Sequence, residues 1–111
     1  MNKMTMDIDS ILKKYSLVEE VNEVVGVWEI NIENCPITLK IKVLKMAHLS
    51  NYPYMGFANY GIQNLTQADP YTSLHNFKTS QEALEDSIKG FLTFFEPELI
   101  EDTKFVLNER W

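Results

Sequence analysis

The chain contains little cysteine and no long apolar run, and each absence excludes a class of protein. Cys35 is its only cysteine, so it can form no internal disulfide and offers no cysteine cluster for a metal, which is typical of a reducing compartment. Apolar runs such as residues 91–95 are far shorter than the roughly 20 residues that cross a bilayer. Residues 1–9 contain no continuous apolar stretch, so we expect no signal peptide and predict a cytoplasmic protein without a membrane contact.

The remaining composition is that of an ordinary folded domain. The 111 residues are 45% hydrophobic and 23% charged, and they contain no internal repeat, low-complexity tract or linker. A chain of this length buries roughly 60–70% of its unfolded surface, which is enough for one core. We therefore predict a single domain over residues 1–111.

Charge is unevenly distributed along the chain. The formal net charge is −6, which argues against direct nucleic-acid binding because neutralising phosphates supplies most of that affinity. Residues 15–39 contain five glutamates and neither lysine nor arginine, an acidic face that favours solubility and suits the approach of a basic protein. Lys40, Lys42 and Lys45 follow closely, and we interpret them as the solvated side of a strand.

The first predicted element is a short amphipathic helix. Ile8, Ile11, Leu12 and Tyr15 recur at the spacing of one helical face. Asp7 precedes them and can cap the helix with its carboxylate. The spacing therefore predicts a helix over residues 8–15.

The period then changes from helical to alternating, which predicts strands. Apolar and polar residues alternate over residues 27–33 and 37–45, with turn residues at 34–36, so these segments predict a hairpin with one apolar and one wet face. Residues 54–62 predict a third strand, and residues 104–108 predict a short strand or a docking segment.

The strongest local signal is a second helix at residues 79–96. Thr79 and Glu82 have the spacing of a capping box, and Pro97 ends the pattern. Apolar residues recur on one face of the segment: Leu84, Ile88, Phe91, Leu92 and Phe95.

These elements predict an α+β fold. We expect an antiparallel sheet of three to five strands covered by the helix at residues 79–96, with the first helix packed beside it or on the same face. Phe57 and Met55 are expected on the sheet face that meets the helix, because that face needs apolar side chains.

One segment resembles part of a known family. The strands followed by residues 79–84, Thr-Ser-Gln-Glu-Ala-Leu, and an acidic amphipathic helix resemble the small antitoxins of the HicB type, which have a β-β-β-α core. The resemblance covers about residues 37–95, and the chain departs from it in a longer loop at residues 63–76. No residue is assigned a role from this resemblance.

Residues 46–77 form an uncharged tract that carries the candidate functional residues. Asp69 is their single charge, yet they contain four of the five tyrosines and both histidines. Such amphipathic side chains form hydrogen bonds without the cost of desolvating ions, as at recognition surfaces. The predicted binding residues are Tyr52, Tyr54, Tyr60, Tyr71, Ser73, His75 and Asn76.

These residues favour a binding function over catalysis. The leading hypothesis is an acidic interaction module that regulates, inhibits or sequesters a protein partner. The second is a ligand-binding protein, as a homo-oligomer, that holds a phosphate-bearing molecule near Lys78, Thr79 and Ser80 at the helix start. The third is a small hydrolase using Ser73 and His75. We predict no enzyme activity, no cofactor and no metal ion.

Overall fold

A computed structural model describes residues 7–46, 49 and 51–111, and it has an α+β fold. The elements are α1 (Ile8–Lys14), β1 (Asn22–Ile30), β2 (Leu39–Met46), β3 (Tyr54–Ala58), β4 (Tyr60–Gln63), β5 (Asn76–Phe77), α2 (Ser80–Phe94), a 3-10 helix (Pro97–Asp102) and β6 (Lys104–Leu107). Four strands form an antiparallel sheet in the order β1-β2-β3-β5, and β4 pairs with β6 in a second sheet. The predicted fold class, an antiparallel sheet against a helix in the C-terminal half, is confirmed.

The predicted β1–β2 hairpin is present, but β1 begins at Asn22 and ends at Ile30, so the prediction of residues 27–33 was displaced. The register of β1 on β2 shifts between Val24 and Gly26. Such a bulge inserts one unpaired residue, which breaks the alternation of apolar and polar residues along the strand. The first half of β1 therefore does not show the pattern by which a strand is predicted from sequence. In the turn that follows, Asn34 adopts a φ of 63°.

The single strand predicted at residues 54–62 is wrong, because the chain changes sheet at Asn59. β3 ends at Ala58 in the first sheet and β4 starts at Tyr60 in the second. The side chain of Asn59 occupies the corner: its Oδ1 accepts the Lys40 backbone N–H at 2.7 Å and its Nδ2 donates to the Thr38 carbonyl at 3.2 Å.

The core lies between the first sheet and α2. We call the sheet face that α2 covers the front face, and the opposite face the back face. The buried apolar residues of the core are Leu39, Ile41, Val43, Ala58, Ile62, Ala83, Phe91 and Phe95. Helix α2 packs mainly over β2 and β3.

Met55 and Phe57 were expected to face α2, and that expectation is wrong. Phe57 pairs with Lys42 in the register of β3 on β2, whereas Ala58 pairs with the buried Ile41. Residues directly opposite in a sheet share a face, so Ala58 points to the front and Phe57 to the back. The strand presents its smallest side chains to the helix, the reverse of what apolar content indicates.

Helix α1 forms where it was predicted, but it does not join the core. Asp7 caps it by accepting hydrogen bonds from the Ser10 backbone N–H at 3.1 Å and the Ser10 hydroxyl at 2.8 Å. These hydrogen bonds lower the pKa of the Asp7 carboxyl. None of the side chains of α1 is buried, so the expected packing beside α2 is not observed.

The start of α2 confirms the predicted capping box. The Thr79 hydroxyl oxygen accepts the Glu82 backbone N–H at 3.1 Å. The Glu82 carboxylate accepts the Thr79 hydroxyl proton at 3.0 Å, instead of the backbone N–H that the motif most often uses. Among the residues described, no helix has the length and apolar character needed to cross a membrane.

Candidate functional site

The structure does not gather the predicted binding residues into one patch. One group lies along a flank of α2, a second lies near the start of β3, and two residues lie elsewhere. The groups are Tyr71, Ser73 and His75; then Tyr52 and Tyr54; then Tyr60 on β4 and Asn76 on the back face. His48, the other histidine of the uncharged tract, lies outside the described residues.

The residues on the α2 flank meet at the carboxylate of Asp86, a residue of α2. Asp86 Oδ2 accepts a hydrogen bond from the Ser73 hydroxyl at 2.5 Å, and His75 Nδ1 lies 3.9 Å from the same oxygen. Ser73 is buried at 6% exposure, whereas 72% of the His75 side chain is exposed. The same carboxylate therefore holds a buried serine by a hydrogen bond and lies close to an exposed imidazole.

Tyr71 anchors the segment that leads into this cluster. Its ring packs on Phe94 with centroids 4.9 Å apart, and its backbone exchanges hydrogen bonds with Ile62 at 2.7 and 3.2 Å. Partial burial raises the pKa of the Tyr71 phenol, and the negative charge of Asp86 raises it further. The phenol therefore favours its neutral form more strongly than a solvated tyrosine does.

The Tyr71 ring also fills the space above Gly90, which gives a testable coupling. A Cβ at Gly90 would lie 2.7 Å from Tyr71 Cζ, so Gly90→Ala must displace the ring. Overpacking costs about 1–3 kcal/mol, and the better helix propensity of alanine offsets about 1 kcal/mol of this. We expect Gly90→Ala to destabilise the native chain but to stabilise the Tyr71→Ala variant by up to about 1 kcal/mol.

Urea unfolding of the native chain, the two single variants and the double variant measures whether the effect of Gly90→Ala changes sign between the two backgrounds. The same sign and size of effect in both backgrounds would contradict the packing of Tyr71 on Gly90.

The same geometry bears on the hydrolase hypothesis. In a serine–histidine pair the imidazole takes the proton of the attacking hydroxyl. Here the Ser73 hydroxyl donates to Asp86, and His75 lies beyond that carboxylate. The imidazole is therefore not placed to take the serine proton, so this arrangement does not activate Ser73 as a nucleophile.

The predicted anion site at the start of α2 has its polar groups partly engaged. The Thr79 hydroxyl is used by the capping box. Lys78 Nζ lies 5.5 Å from the centre of the Tyr52 ring, a cation–π distance, and Lys45 Nζ lies 5.9 Å from the Tyr54 ring. In this corner each of the two lysines therefore lies over a tyrosine ring. Ligand binding there stays a prediction.

Asp86 contacts two of the predicted residues but was not itself among them. The helix positions that pack closely are small: Ala83, Ser87 and Gly90. Because Asp86 lies three residues after Ala83 and four before Gly90, it borders that small-residue stripe on the helix surface. These small residues indicate that another segment packs closely on the helix beside Asp86. They do not indicate which segment it is.

Two surface depressions lie away from the predicted residues. One of about 430 Å³ lies on the outer flank of α2, and one of about 340 Å³ lies between the segment near Pro70 and the turn after β6. None of the predicted binding residues lines either depression. Within residues 7–46, 49 and 51–111, no three histidine, cysteine, aspartate or glutamate side chains are grouped so that they could hold a metal ion.

Comparisons with protein-family models, curated proteins and solved structures found no match. Around the edge strand β5, four side chains are solvent-exposed, and we call this set the β5 surface: Tyr52, Leu74, His75 and Lys78.

Proposed function

We propose that this chain is a protein-interaction module that regulates, inhibits or sequesters a partner through the β5 surface. The observation that carries the proposal is the Ser73–Asp86 hydrogen bond, which fixes the middle of the loop at residues 72–75. Tyr71 fixes the start of the loop and β5 fixes its end. The loop is thus held in place while Leu74 and His75 point into solvent.

The exposed groups suit recognition. Leu74 is 59% exposed and precedes the exposed His75 in the chain. Tyr52 is 49% exposed, and Lys78 Nζ lies 5.5 Å from the centre of its ring. Apolar and aromatic area is therefore available next to an imidazole and to an ammonium group. A loop that is already ordered loses less conformational entropy on binding than a mobile one. Functional residues are also concentrated on loops that a rigid scaffold positions.

The proposal places the module in the cytoplasm. A lone thiol, Cys35, and the absence of a disulfide are consistent with a reducing compartment. The second hypothesis, a homo-oligomer that binds a phosphate-bearing ligand near Lys78, Thr79 and Ser80, gains no specific support from the geometry of that corner.

Native mass spectrometry of the chain purified from its own host tests the proposal. We expect a stoichiometric protein adduct on the native chain. The double variant Leu74→Ala/His75→Ala should lose it, because truncating two central contacts weakens binding at least tenfold.

A matched control is Leu107→Ala, which truncates another exposed leucine, 66% exposed, in the second sheet. This control should keep the adduct, and both variants should keep the native melting temperature. An adduct retained by the loop variant, or an adduct with the mass of a small molecule, would contradict the proposal; the second outcome would favour the ligand-binding hypothesis.

A further inference from the structure

The chain exposes more surface than a compact monomer of its mass. Its accessible surface area is 8148 Å², whereas a folded monomer of 12.9 kDa exposes about 6,300 Å². The excess of about 1,800 Å² falls within the area that each subunit of an obligate dimer buries, roughly 1,000–2,500 Å². The Cα radius of gyration is 16.7 Å, compared with about 13 Å for a compact domain of this length. One copy therefore leaves unpacked a surface as large as a subunit interface.

Helix α1 carries apolar side chains that its own copy does not bury. Ile8, Ile11 and Leu12 recur along one side of the helix, and none of its residues is buried. Tyr15 is 52% exposed and Leu17 is 97% exposed. A helix of seven residues is marginal in water by itself, so its stability depends on packing of its apolar side.

The back face of the first sheet offers an apolar row that crosses three strands. Val24 of β1 pairs with Leu44 of β2, and Leu44 pairs with Met55 of β3. The buried residues of β2 point to the front, so Leu44, which alternates with them, points to the back together with its two partners. Val27 lies on the same face opposite Lys42. Because Val24 is 57% exposed and Val27 49%, this back-face row is open to solvent at its β1 end.

A second copy of the chain can cover both surfaces at once. Among the described elements, α1 has no substantial contact with a strand or with another helix. If each of two copies places its α1 on the back-face row of the other, the two identical contacts form a closed two-fold dimer. Such an exchange covers apolar area on the helix and on the sheet of each copy, which suits the large unpacked surface.

The segment between α1 and β1 is long enough for this exchange. Residues 15–21 join the two elements and span up to about 25 Å when extended. β1 is the edge strand of its sheet, so this linker leaves the sheet at its border. The same length would allow α1 to fold back on its own sheet, but in the structure the helix lies apart from that sheet. This position favours the sheet of a second copy.

We propose that this chain forms a homodimer by exchanging α1, so that the helix of each copy packs its apolar side on the back-face row of the other. The interface lies on the side of the sheet opposite to α2. It does not depend on binding at the β5 surface.

Sedimentation velocity of the full chain tests the dimer. We expect the native chain to sediment with twice the mass of one copy. Leu12→Asp on the helix and Val24→Asp on the back face should each weaken dimerisation at least about tenfold, because each places an unpaired carboxylate in the interface. Lys13→Gln is the control: it changes the net charge by the same amount on the other side of α1, and it should keep the dimer.

Mixing the two interface variants tests the exchange itself. The Leu12→Asp chain keeps an intact back face, and the Val24→Asp chain keeps an intact helix. A heterodimer of the two therefore has one of the two native contacts, whereas either variant alone has none. We expect the mixture to dimerise more strongly than each variant by itself, with both chains folded by circular dichroism.

Other outcomes overturn the proposal. A native chain that sediments as a monomer would remove the dimer, and a loss of thermal stability on Leu12→Asp in that monomer would place α1 on its own sheet. A dimer that Leu12→Asp leaves intact would assign the interface to another surface. A mixture that dimerises no better than its components would exclude the exchange of α1.

Discussion

Phe91→Ala is expected to lower the free energy of unfolding by about 3–5 kcal/mol, the usual cost of truncating a buried phenylalanine. Phe91 is 2% exposed. Its ring lies 6.2 Å from the centroids of both Phe95 and Phe105, so it joins α2 to β6. Truncation leaves a cavity where the two sheets meet the helix, and urea unfolding monitored by circular dichroism measures the loss.

The adjacent residue provides the control for this prediction. Leu92 is 46% exposed, so Leu92→Ala should change the free energy of unfolding by less than about 1 kcal/mol. Equal losses for the two variants would show that the helix is rotated relative to the packing described here.

Gly56→Ala is expected to destabilise the fold by about 1–3 kcal/mol, the typical cost of overpacking. A Cβ at this position would overlap Ser87 Oγ and lie 2.8 Å from the Ala83 carbonyl oxygen. The carbonyl belongs to the helix backbone, so it cannot move aside as a flexible side chain would. The added methyl group must therefore lift α2 from β3, which thermal unfolding detects.

Ser87→Ala separates the two parts of this clash. The Ser87 hydroxyl is buried and has no hydrogen-bond partner among the residues that the structure describes, so its removal alone should be neutral or stabilising. In the Gly56→Ala background it should recover part of the lost stability, because the contact with the Ala83 carbonyl remains. Full recovery, or none, would contradict the proposed origin of the cost.

The elements that could be predicted from sequence are those that local patterns determine. The start of α2 is encoded by Thr79 and Glu82 and was predicted to within one residue. The strand predicted at residues 104–108 is found at Lys104–Leu107. The bulge at Val25 and the change of sheet at Asn59 were not predicted, because hydrogen bonds to distant strands determine both.

The candidate site was predictable only in part, for a related reason. The uncharged composition of the tract predicted Tyr71, Ser73 and His75 as binding residues, and the structure places Ser73 and His75 at one carboxylate. That carboxylate belongs to Asp86, which reaches them only after α2 has docked. The spread of the tyrosines over separate surfaces depends likewise on the sheet register, which composition does not encode.

Asn59 connects the two sheets through hydrogen bonds, so their stabilities are coupled. Its side chain holds the beginning of β2 through Lys40 and Thr38, and its carbonyl accepts the backbone N–H of Asn108 at 2.8 Å, just after β6. Loss of β6 would therefore loosen a hydrogen-bonded corner far away in sequence. We expect the rates of amide hydrogen exchange at Lys40 and in β6 to change together when urea is added. Such a result would show that neither sheet unfolds as an independent cooperative unit.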